Sequence, residues 1–205
     1  MMKRGAYSLI FVFGLFASVS ISSAPATAQL SDILLAPKTL IDRAIEARSA
    51  KDIAIDNRIV VDVNAIMVEF ETLKASTEIY EQRLLVTGIF DDEELFNDFS
   101  AKVMAVEGVK ELLWHVTFVS AEDQEARKEE LIDWPDALVL NTKVGVDLIG
   151  TRGVADVNFR TAIDSFSTAY LLGRARSQNE LDKALATVQD REGVAKVVNY
   201  AVVRP

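Results

Sequence analysis

No cysteine occurs in the 205 residues, and histidine appears once, as His115. The first absence removes disulfides, thiol nucleophiles and cysteine-based zinc motifs, and it denies the chain the acylated cysteine of a bacterial lipoprotein. It does not argue against export, because disulfides are permitted outside the cytosol but not required. The second absence leaves no histidine pair for a metal, and a Ser-His-Asp triad has no supporting motif around His115. Glycine is sparse, at nine residues, and Gly145 and Gly150-x-x-Gly153 lack the strand–Gly-x-Gly-x-x-Gly–helix order of a phosphate loop. With so few titratable groups set against one another, the chain reads as non-enzymatic, with no catalytic residue, cofactor or metal.

The first 28 residues read as a secretory signal. Lys3 and Arg4 form the basic start, Leu9 to Val19 the apolar core, and Ala26-Thr27-Ala28 a cleavage site that leaves Gln29 as the new terminus. A membrane anchor is the competing reading, but the apolar core is shorter than the ~20 residues a span needs. Ser22, Ser23 and Pro25 then follow it. Basic residues are outnumbered by acidic ones, 22 to 31, for a net charge of −9; removing Lys3 and Arg4 leaves 20 to 31, or −11. Such acidity argues against non-specific nucleic-acid binding and against simple electrostatic attraction to an anionic membrane.

An internal repeat organises what remains. Gly88 and Gly173 are 85 residues apart, as are Gly108 and Gly193 (193 − 108), Val61 and Val146, Asp62 and Asp147, and Val103 and Val188. Glu107-Gly108-Val109 falls on Glu192-Gly193-Val194 without a gap. Two copies of about 65–70 residues make a tandem pair, each near the low end of independent stability.

The second copy states the unit most clearly. Tyr170, Leu171 and Leu172 form a β-run that ends at Gly173. A helix begins near Ser177, with Glu180 as its capping-box partner and Leu181, Ala184, Leu185 and Val188 at helical spacing. Gly193 suits a C′ position, and Val194, Val197, Val198, Tyr200, Val202 and Val203 are strand formers. Upstream, Asp136 is an N-cap candidate for a helix with Leu140, Val144 and Leu148 on one face and Val139 and Val146 on another. Gly150 and Gly153 end that helix, Val157, Phe159 and Thr161 alternate as a strand, and Phe166 to Leu172 make the return strand.

In the first copy a helix is expected from Asp52 to about Val68, followed by hairpin positions at Phe70, Leu73 and Leu84 to Thr87. No Asn-Gly or Gly-rich pair lies between Lys74 and Gln82 to signal the turn, and this section also reads as helix. Gly88 then opens the turn into a helix over Glu93 to Val106. In the closing strand, Leu112, Trp114, Val116 and Phe118 form one face, opposite Leu113, His115, Thr117 and Val119. Each copy reads α-β-β-α-β. The fold class is α+β, with two helices packed on one face of a three-stranded mixed sheet in each copy. The other sheet face is either exposed or covered by the partner repeat.

The pattern G-x(19)-GV with a valine-rich strand behind it, preceded by a helix and a hairpin, resembles the BON domain. That family comprises bacterial periplasmic and outer-membrane modules, usually in tandem, and includes osmotically inducible periplasmic proteins. The resemblance covers about two thirds of the chain, residues 52–119 and 136–203. With it the chain divides into a signal peptide (1–28), an N-terminal extension with a short helix over Thr39–Ala50 (29–51), a first BON-like domain (52–119), an acidic linker (120–135) and a second BON-like domain (136–205).

The resemblance implies a periplasmic protein of envelope maintenance or osmotic stress protection that contacts phospholipid and supports outer-membrane integrity. The implied contact surface is the first helix of the second repeat and the segment before it. Trp134, Leu138 and Val139 supply apolar contacts there, and Lys143 and Arg152 supply positive charge. Relatives often carry tryptophan near the position of Val139, and this chain does not. The alternative is a chaperone-like or protein-interaction module for unfolded or outer-membrane proteins, using exposed sheet faces and edges. Those edges also make self-association plausible, and the oligomeric state stays open.

Three smaller features each have two readings. His115 is a sheet-surface or interface residue, or a catalytic one. Asp91-Asp92-Glu93-Glu94 is an acidic helix start or a calcium set, though it lacks the alternating spacing and central glycine of a calcium loop. Arg174 and Arg176 bind an anion or pair with Glu180 or Asp182.

Overall fold

A computed structural model describes residues 46–70 and 74–205. The segment read as a signal peptide, most of the expected N-terminal extension and Leu73 lie outside the described residues. The first repeat contains α1 (Ala50–Glu69), β1 (Ala75–Tyr80), β2 (Arg83–Phe90), α2 (Glu93–Met104) and β3 (Glu111–Phe118). A one-and-a-half-turn helix, α3 (Ala121–Ala126), lies in the linker. The second repeat contains α4 (Trp134–Gly150), β4 (Phe159–Ile163), β5 (Thr168–Ala175), α5 (Gln178–Gln189) and β6 (Lys196–Val203).

Helices α1, α2, α3 and α5 start where a short polar side chain takes over an unsatisfied backbone donor, whereas Asp133 at the start of α4 makes no such bond. Ser49 caps α1, Asp92 caps α2 and Ser177 caps α5, the last through Glu180 N–H at 3.2 Å. In each sheet the first two strands run antiparallel and the second and third parallel, in the order β1-β2-β3 and β4-β5-β6. The parallel pairs are joined through α2 and α5, the helical crossover that a parallel pair requires.

Strand alternation then sorts the residues into three layers of contact. Ile59 and Val63 of α1 and Phe99 and Val103 of α2 bury against Leu84, Val86, Phe90 and Val116 on one face of the first sheet. Leu140, Val144, Leu148, Leu181, Ala184 and Val188 bury in the same way against Phe159, Leu171 and Ala201 of the second. The opposite sheet faces meet each other. Tyr80, Leu85 and Leu113 pack on Ala162, Tyr170 and Leu172, with Val198 and Tyr200 at the margin. The layer order is therefore helices, sheet, sheet, helices. Leu85 and Tyr170 are repeat equivalents, as are Leu113 and Val198, so the seam has the self-complementary character of a two-fold interface.

Several local expectations are corrected. Gly88 and Gly173 end no strand; both lie inside one, opposite Ala75 and Phe159. There the edge strand's backbone passes so close that a Cβ on Gly173 would stand 2.1 Å from the Asn158 carbonyl oxygen. Gly108 and Gly193 do adopt positive φ, but in the turns before β3 and β6, three residues beyond the helix C-caps Ala105 and Asp190. Val157 belongs to a 3-10 turn (Asp156–Asn158), and Phe166 to the β4–β5 turn. Phe70 caps α1, where its N–H donates to the Ile66 carbonyl.

The N-cap of α4 is Asp133, not Asp136, and Pro135 sits in the first turn. Proline is tolerated there because no intrahelical partner awaits its nitrogen. Of the helix expected over Thr39–Ala50, the described part Glu46–Ser49 is non-helical, and Ala50 opens α1.

Candidate functional site

The five candidate contact residues divide between two sides of α4. At 3.6 residues per turn, Leu140, Val144 and Leu148 define its buried side. Val139 lies roughly opposite that side with Val146, which was assigned to the same face, and Lys143 borders them on one flank. Trp134 and Leu138 lie on a flank and are half-buried, while Arg152 is exposed just past the helix end. The structure therefore brings Val139 and Lys143 together with Val146 and Ile149, which are 51%, 61% and 54% exposed in the order Val139, Val146, Ile149. Trp134 belongs to none of the three apolar clusters.

The first repeat carries a counterpart that the sequence reading passed over. On α1, Ala54, Arg58, Val61 and Ala65 are all exposed, opposite the buried Ile59 and Val63. These four positions are 85 residues before Val139, Lys143, Val146 and Gly150. The repeat offset itself was the available signal. Among the described residues neither Arg58 nor Lys143 takes part in an ion pair.

The polar groups concentrate at the seam. His115 Nε2 lies 2.7 Å from the Tyr200 hydroxyl, a pair again 85 residues apart. Its ring is 4.2 Å from that of Tyr170, whose hydroxyl donates to Asp164 at 2.8 Å. Asp164 is occupied further by Phe166 N–H and Thr168 N–H, both at 2.9 Å, so it holds the β4–β5 turn. Burial lowers the His115 pKa against the opposing pull of Asp164. Burial raises that of Tyr170, and the bond to Asp164 adds to it. His115 thus lies at the interface between the two sheets, held by Tyr200 and Tyr170.

Glu78 of β1 shares this side of the sheet, and burial pushes its carboxyl up to about 7, with Arg160 of β4 opposing.

The segment before α1 ties the repeats together. Ala47 N–H donates to Asn158 Oδ1 at 2.7 Å in the second repeat, whereas Arg48 donates to Asp56 at 3.0 Å in the first and lies over the Tyr80 ring. Asp56, fully buried, also accepts from Glu81 N–H at 2.9 Å and Gln82 N–H at 2.7 Å.

The arginine readings separate. Arg176 pairs with Glu180 at 3.1 Å, as one reading had it. Arg174 pairs with neither Glu180 nor Asp182; it reaches Glu81 of the first repeat at 3.9 Å and the carbonyls of Arg204 and Pro205. In the acidic run, Asp92 caps α2 and Asp91 meets Lys74 at 3.1 Å. No cluster of metal-ligating side chains forms among the described residues, and no helix among them is long and apolar enough to cross a membrane.

No family model matches the chain, and no curated protein does. Two solved structures of CdsD, a structural protein of the type III secretion system of Chlamydia trachomatis, are similar to it at 12% identity and a TM-score of 0.29. They cover 72% of this chain and 93% and 98% of their own, the second being the C-terminal domain. At that TM-score the likeness carries no argument.

Proposed function

We propose that the chain is a non-enzymatic, BON-like tandem protein of the periplasm that serves envelope maintenance by binding a phospholipid surface. The observation that supports this reading is the outward face of α4, where Val139, Val146 and Ile149 stand exposed around Lys143. An apolar helix face with a cation among its side chains suits the boundary between headgroup and acyl chain. Full burial of a valine or isoleucine contributes ~1.5–3 kcal/mol, so a few partly inserted side chains give reversible attachment, not insertion. Trp134 and Leu138 would border the contact, and Arg152 would add a second cation.

The chaperone-like alternative has less to work with. Exposed sheet faces and edges were its tools; Tyr80, Leu85 and Leu172 are buried in the seam, which leaves it the outer strands β1, β3, β4 and β6.

Co-sedimentation of the chain from Gln29 onward with vesicles of phosphatidylethanolamine and phosphatidylglycerol tests the reading. Binding is expected at low salt, weakened at physiological salt because the Lys143 contribution is screened. V139D/V146D should abolish most of it while leaving stability within about 0.5 kcal/mol, since both sites are exposed. Absence of binding at either salt concentration would discard the lipid surface as ligand.

A further inference from the structure

The four outer strands do not present equal edges. β1 lies against β4 and β5 of the second repeat. On β4, the Arg160 guanidinium donates to the Val157 and Phe159 carbonyls at 3.0 and 2.6 Å and occupies part of that edge. On β6, the Ala201 N–H donates to Asn199 Oδ1 at 2.8 Å, which removes a donor from the middle of its edge. Edge groups satisfied by side chains are no longer open to another strand.

β3 has no such guard. Glu111 N–H and Val119 N–H, at the two ends of the strand, both donate into the first two strands of the sheet, to Gln82 and Phe90. Backbone groups alternate in direction along a strand, so those of Leu112, Trp114, Val116 and Phe118 point away from β2. Among the described residues no hydrogen bond reaches them. Trp114 is the repeat equivalent of Asn199. An indole only donates, so it cannot take the Val116 N–H as Asn199 takes that of Ala201.

The side chains beside this edge are aromatic. Phe96 of α2 packs on Trp114 and on Phe118, with ring centroids 6.5 Å apart in each pair, which fixes the flank of α2 that looks toward β3. Glu93, Phe96, Ser100 and Met104 follow one another along that flank at helical spacing. Met104 is 59% exposed and Phe118 37%. In the second repeat the places of Phe96, Trp114 and Phe118 are taken by Leu181, Asn199 and Val203, so the aromatic trough belongs to the first repeat. Glu93 and Glu122 stand exposed at its end nearest the strand's C-terminus, and neither takes part in an ion pair among the described residues. Lys110 stands beyond the other end.

We infer that β3 accepts an extended polypeptide segment, apolar at alternate positions and basic at one end, as a fourth strand of the first sheet. Backbone donors and acceptors in strand register are matched by another polypeptide backbone, with side-chain pockets at every second position. Its apolar residues lie beside Phe118, Trp114 and Met104, and its basic end meets Glu93 and Glu122. A second copy pairing β3 with β3 would bring like carboxylates together. The site is separate from α4 and stands without the lipid reading.

The test uses the chain from Gln29 onward and synthetic peptides of the length of β3, in which valine or phenylalanine alternates with threonine and lysines stand at one end. Control peptides carry glutamate for lysine, or have every backbone amide N-methylated. W134F leaves Trp114 as the only tryptophan, so its fluorescence reads binding, and amide exchange by NMR locates it. The lysine peptides are expected to bind and to slow exchange at Trp114, Val116 and Phe118, and both kinds of control are expected to lose binding. M104K/F118K, at exposed positions, should abolish it, as should W114N, which gives β3 the guard that Asn199 gives β6. V139D/V146D should leave it unchanged. No binding by any lysine peptide, protection on β1, β4 or β6 instead, equal binding by either control, or binding that survives both β3 variants would each overturn the inference. So would dimers of the peptide-free chain that disappear in M104K/F118K, since a second copy would then occupy the edge.

Discussion

At Glu78 an ordinary carboxylate is held where its charge is unwelcome. Burial pushes its pKa to about 7, and the opposing attraction of Arg160 does not restore it. In the unfolded chain the same group ionises near its ordinary value of 4.5. The folded pKa is the higher one, so the stability linked to Glu78 is fully present below pH 4.5 and is lost as pH rises through about 7. Urea titrations at pH 5 and pH 8 should show a loss of about 2 kcal/mol on going to the higher pH, and E78Q should remove most of that difference. His115 acts with the opposite sign. Its lowered pKa means that its share of stability is present above its ordinary value and lost as pH falls through the folded one. An E78Q protein with an unchanged pH profile would show that Glu78 is solvated in solution.

The β1–β2 hairpin shows what an element can need from far along the chain. Its two turn residues, Glu81 and Gln82, both have positive φ, 53° and 66°. Tight hairpin turns favour such angles, but they are usually filled by asparagine and glycine. Asp56, on α1, compensates by accepting both turn N–H groups and Arg48 besides. Asp56→Ala would leave two turn N–H groups without their acceptor while Arg48 keeps its ion pair with Glu46 at 2.9 Å, and should cost about 2–3 kcal/mol in chemical denaturation. A loss below about 1 kcal/mol would mean that water replaces the carboxylate.

That arrangement explains why the turn was illegible from its own residues. The stabilising group is 25 positions away from Glu81, and no local motif reports it. The repeat does not report it either, because the equivalent of Asp56 is Asn141, whose buried Oδ1 has no partner, while Asp164 holds the second turn. Helices α2 and α5 were legible within two residues of their ends, since caps and apolar spacing are local properties. Of the candidate contact residues, Val139 and Lys143 are exposed, whereas Trp134 and Leu138, grouped with them through the family resemblance, are half-buried.

For the molecule as a whole, the seam makes two small repeats into one unit. Leu85 and Leu172 are fully buried there, and each repeat alone would expose that apolar sheet face to water. Leu172→Asp places an unpaired charge in the seam and should destabilise the protein by about 3 kcal/mol or more. It should also split a single thermal transition into two, as the repeats lose the contact that couples them. A single transition retained in that variant would mean that the strap at Ala47 and Arg48 suffices for coupling.

The repeat of 85 residues, the α-β-β-α-β order and the inward face of each long helix follow from the sequence by itself, whereas β1 lies where the sequence placed the hairpin turn. They depend on periodicities of 3.6 and 2 and on caps a few residues away, all readable within a short window. Which face of each sheet would be covered and the meeting of His115 with Tyr200 were decided only in the tertiary structure. Each of these depends on how one repeat lies against the other, and that is set by side chains far apart in the chain whose apolar surface is removed from water only when the two sheets close on each other.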